Sequence, residues 1–60
     1  MPSRARVREL VDDIRESAAQ FINEQHPDAS DDEVYWDMAQ AVLQGEPSSV
    51  RTAVLRDLGF

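Results

Sequence analysis

Sixty residues without a single cysteine leave this chain no covalent staple, and that restricts how it can stay folded. A domain this short buries only about 60% of the surface that its unfolded form exposes, so its stability is marginal. Disulfides, a structural metal, oligomerisation or very regular helix packing are the usual remedies. The first is closed here, and most zinc sites close with it. Good packing or a partner remains. The length allows one domain, residues 1–60.

A hydrophobic fraction of 42% is high for a disordered chain of this charge, and the apolar residues are periodic, which disorder does not require. No apolar run approaches the roughly 20 residues that cross a bilayer. No secretory pattern follows Met1-Pro2. A cytoplasmic protein with a native start at Met1 is the expectation.

The formal net charge is −6, from twelve acids against six bases, and every base is arginine. Such a chain is repelled by nucleic acid and by anionic membrane unless its bases cluster. They cluster in part. Residues 1–15 hold Arg4, Arg6, Arg8 and Arg15 against Glu9, Asp12 and Asp13, a surplus of one positive charge. Residues 16–46 hold eight acids and no arginine. Residues 47–60 hold Arg51 and Arg56 against Asp57. The middle of the protein is a field of one sign.

Val7, Leu10, Val11, Ile14, Ala18, Phe21 and Ile22 recur at helical spacing and predict a first helix over 3–25, with Ser3 as its cap. It ends before Pro27, because a proline pushes the preceding residue out of the helical region. Ser30-Asp31-Asp32-Glu33 reads as a capping box, with Ala29 and Val34 at the staple positions. That predicts a second helix over 31–44, terminated by Gly45 in the left-handed conformation. A third, over 48–58, starts at Pro47 or takes its cap from Ser48 or Ser49. Gly59 stops it and leaves Phe60 to fold back. The expected fold is all-α, a compact three-helix bundle with short loops. Leu10, Ile14, Phe21, Met38, Val42, Val54 and Leu58 are its expected core.

Helix two carries more apolar surface than a lone bundle needs. Val34, Tyr35, Met38, Ala41 and Val42 form the expected core stripe. Trp36, Ala39 and Leu43 fall on nearly the opposite side. The arc is about 220° wide, where a surface helix needs roughly 100°. Either helix two is central, touching both neighbours, or Trp36, Ala39 and Leu43 face a second copy or a partner. Tryptophan favours the latter, since it buries a large area with few rotors to freeze.

Other constellations point to chemistry and fall short of it. A calcium loop starting at Asp28 needs glycine at its sixth position and glutamate at its twelfth, but these are Glu33 and Ala39. Acids at a helix start are explained by the helix dipole. His26, the one histidine, has no nucleophile beside it. The spacing Ala41 to Gly45 fits a helix-turn-helix, but Gln40 and Arg51 occupy positions that such a motif buries, and Glu46 stands in its turn. No catalytic residue, cofactor or metal is expected, and nucleic acid is disfavoured as a partner.

Arg4, Arg8 and Arg15 project from one flank of helix one. They are either solvated, with Arg8 pairing Asp12 one turn on, or they meet an acidic surface such as Asp31, Asp32, Glu33 and Asp37 of another copy. Together these features predict a small regulatory or adaptor protein that works by protein–protein contact, self-associates as a dimer, and is not an enzyme. The alternative is an acidic decoy that imitates nucleic acid and occupies a basic site on a target. A helix-turn-helix DNA-binding protein is the third and weakest fit.

Overall fold

Ser3 opens the first helix as its place in the sequence implies. Its carbonyl accepts the Val7 N–H at 3.0 Å and its Oγ accepts the Arg6 N–H at 3.4 Å, the arrangement of an N-cap. The computed structural model describes residues 2–24 and 31–60. Three helices make up the fold: α1 over Arg4–Glu24, α2 over Asp31–Val42 and α3 over Ser48–Asp57. There is no strand among the described residues. The capping box at Ser30, its staple residue Ala29, and His26 and Asp28 lie outside them.

The two glycines act where left-handed backbone is needed. α2 ends two residues earlier than its pattern implies. Leu43 still donates its N–H to the Ala39 carbonyl at 2.9 Å, and the chain then reverses through Gly45 at φ 87°. Pro47 itself is the N-cap of α3, and no side chain caps it. Ser48 and Ser49 therefore lie inside the first turn instead of capping it. At the other end Gly59 adopts φ 99°. Its N–H bonds to the Arg56 carbonyl at 3.0 Å, and the Phe60 N–H bonds to the Leu55 carbonyl at 2.9 Å. This pair of bonds is a Schellman motif, and it turns Phe60 back along the helix.

The central element is α1, not α2. Both shorter helices pack on α1 and meet each other far less. α2 runs back along α1, so its terminal turn reaches the start of α1, where Arg6 donates to Glu46 Oε2 at 3.1 Å. The molecule is elongated, 37 × 20 × 16 Å.

Val7, Leu10, Val11 and Ile14 of α1 form the core with Ala39, Leu43, Val50 and Val54. Leu10, Ile14 and Val54 are buried as expected, while Met38, Val42 and Leu58 are half-buried against the cluster. Phe21 is half-buried. Ala41, placed by the periodicity in the stripe, is exposed. The orientation of α2 thus differs from the expected one. It turns Ala39 and Leu43 inward at 0% and 2% exposure, and leaves Ala41 in water. Burial scales with apolar area, so enclosing a leucine in exchange for an alanine is the favourable rotation. Ala39 also has little bulk, which lets the α2 backbone approach α1.

Candidate functional site

Trp36 projects from α2 at the edge of its buried face, 43% exposed, and Phe60 beyond α3 is 48% exposed. They are the two exposed large hydrophobic residues among those described. The turn at Gly59 brings them together: the rings meet edge to face with centroids 5.3 Å apart at an interplanar angle of 65°. Such pairs contribute about 0.5–1.5 kcal/mol beyond area burial. The stacking sets an indole and a phenyl ring side by side at the surface.

Beside Trp36, the seam of α2 and α3 opens into a cleft of about 250 Å³. Leu43 and Leu55 supply its apolar walls, and Gln40 and Arg51 are among its polar lining. The volume is below the roughly 300–1,000 Å³ of small-molecule sites, and suits one or two protein side chains. Gln40 and Arg51 are both exposed.

No protein-family model, curated protein or solved structure matches this chain.

A second concavity lies between α1 and α3, a groove of about 1030 Å³. Arg4, Arg8 and Arg15 line it from α1 and Arg56 lines it from α3, with Asp12 and Asp57 as its acids. Val7, Val11 and Ala53 give it apolar surface. The pairing of Arg8 with Asp12 does not form. Arg6 makes the ion pairs found among the described residues, to Glu9 at 3.6 Å and to Glu46 at 3.1 Å. The four groove arginines have no such partner there and are all exposed.

The structure divides the residues singled out by sequence. Trp36 is at the surface, but Ala39 and Leu43 belong to the chain's own core. Ala39 is closed off from the Trp36 face and Leu43 reaches it only as a wall of the cleft, so that part of the expected interface is corrected. Asp31, Asp32 and Glu33 form the exposed first turn of α2, and Asp37 is exposed on the same helix. Arg4, Arg8 and Arg15 share one groove, as their common flank implied. Phe60 and Arg56 were missed as site residues. Gly59 was the available signal for Phe60; nothing local ties Arg56 to residues more than forty positions earlier.

No group of three or more His, Cys, Asp or Glu side chains suited to a metal occurs among the described residues. No described helix is long and apolar enough to cross a membrane.

Proposed function

We propose that this chain is a small helical docking module that acts through protein–protein contact and catalyses no reaction. Its contact surface is the Trp36–Phe60 pair with the adjacent cleft between α2 and α3. The occupant is a partner protein that presents apolar side chains, one of which enters the cleft. The observation that carries this reading is the edge-to-face stack of the two exposed large hydrophobic residues. Aromatic side chains have few rotors to freeze on binding, which helps to make tryptophan a frequent hot spot.

The test is a titration of the partner, identified by photo-crosslinking from a reactive residue placed at position 60, against wild type and Trp36→Ala. Loss of the indole is expected to weaken binding about tenfold or more, with little change between about 0.05 and 0.2 M salt. A complex that ignores Trp36→Ala and weakens steeply over that salt range supports the acidic decoy in its place.

A further inference from the structure

We propose that the arginine groove between α1 and α3 receives the acidic start of α2 from a second copy of this chain, forming a side-by-side antiparallel dimer. This surface is separate from the Trp36–Phe60 patch and does not depend on it.

The groove is a basic concavity in a chain of net charge −6. Four arginines against two aspartates give it a local positive surplus, and none of the four has an ion-pair partner among the described residues. Arg4 occupies the first turn of α1, and that turn has no acid. A helix N-terminus carries positive partial charge, so a cation there is unfavourable and an incoming anion relieves it. Arg6 resolves the same problem within the chain through Glu9 and Glu46. Arg4 and Arg8 have no such internal solution.

The complementary surface is at the other end of the molecule. α2 runs back along α1, so Asp31, Asp32 and Glu33 lie toward the Glu24 end, away from the groove, with Asp37 one helical turn beyond Glu33. No arginine occurs between residues 16 and 46 to neutralise that end. The chain is therefore a charge dipole along its 37 Å axis. A twofold axis perpendicular to that length sets the acidic end of each copy against the groove of the other, and closes the assembly at two subunits. Two like-charged chains repel, but at about 0.15 M salt that repulsion is screened beyond about 8 Å, while ion pairs in contact persist.

The decisive experiment is a charge swap read by sedimentation equilibrium at about 0.15 M salt, with circular dichroism confirming equal helix content. Arg4→Glu/Arg8→Glu reverses the groove, and Asp32→Arg/Glu33→Arg/Asp37→Arg reverses the acidic face, leaving Asp31 as its one acid. Each charge-reversed variant alone is expected to be monomeric, with its dimer dissociation constant raised about tenfold or more. Mixed in equal amounts they restore the dimer, because both contacts of the mixed pair are again of opposite sign. If a reversal costs helix content, the neutral variants Arg4→Gln/Arg8→Gln and Glu33→Gln/Asp37→Asn replace it and are also expected to weaken the dimer. Trp36→Ala leaves the dimer intact, which separates this surface from the docking patch. A wild-type chain that stays monomeric, or charge variants that dimerise as well as wild type, or a mixture that stays monomeric, overturns the proposal.

Discussion

The guanidinium of Arg6, the third residue of α1, donates to Glu46 Oε2 at 3.1 Å, forty residues later in the chain. It joins the turn after α2 to the start of α1, as the antiparallel course of the two helices allows. Arg6 and Glu46 side chains are 46% and 23% exposed, so water competes for both.

Exposure on that scale limits what the pair contributes. Glu46→Gln is expected to lower stability by about 0.5 kcal/mol, with the difference fading as salt is raised. Chemical denaturation of both proteins at low and high salt measures it. A loss above about 2 kcal/mol would mean that the pair organises the turn as well as decorating it.

Ile14 is at the centre of the core, with no exposed surface. Ile14→Ala is expected to cost about 2–5 kcal/mol, a large share of what a domain of this size possesses. Thermal unfolding followed by far-UV circular dichroism should show a cooperative transition in the wild type and a much lower or absent one in the variant.

Ala39 distinguishes an internal position from an interfacial one. It is fully buried among α1 and α3 residues, so Ala39→Leu overpacks the core and should destabilise the monomer by about 1–3 kcal/mol. Were Ala39 on an open face, the larger side chain would leave unfolding unchanged and alter only association. Denaturation at two protein concentrations separates these outcomes.

Gly59 positions Phe60, and its left-handed φ of 99° is unfavourable for any residue with a Cβ. A Cβ there meets nothing within 4 Å, so the cost of Gly59→Ala is backbone strain alone, about 1–2 kcal/mol. The readout is the fluorescence of Trp36, the one tryptophan in the chain. Its emission is expected to move to the red in Gly59→Ala and in Phe60→Ala, as the indole loses its ring partner to water. Unchanged emission in both variants would show that the stack is not maintained in solution.

The three helices were legible in the sequence because their signals are local. The apolar spacing from Val7 to Ala18, Ser3 before it, and Gly45 and Gly59 at turns depend on residues within a few positions of each other. The registry of one helix against another is not local, and there the reading of α2 failed. An arc as wide as that from Val34 round to Leu43 satisfies helical periodicity in several rotations. Only the surface offered by α1 selected the one that encloses Ala39 and Leu43 and leaves Ala41 in water.

The same division applies to the two surfaces. Composition and order alone determined that the middle of this chain is acidic without relief, that its arginines gather at the start of helix one, and that a tryptophan sits on an over-endowed helix. Tertiary structure decided which of these features meet. Crossing α3 over α1 brings Arg56 to Arg4, Arg8 and Arg15, and the Schellman turn carries Phe60 to Trp36. Helix periodicity specifies the direction of a side chain about its own axis, but neither the packing partner nor the crossing angle; those follow from burying the most apolar area that three short helices share.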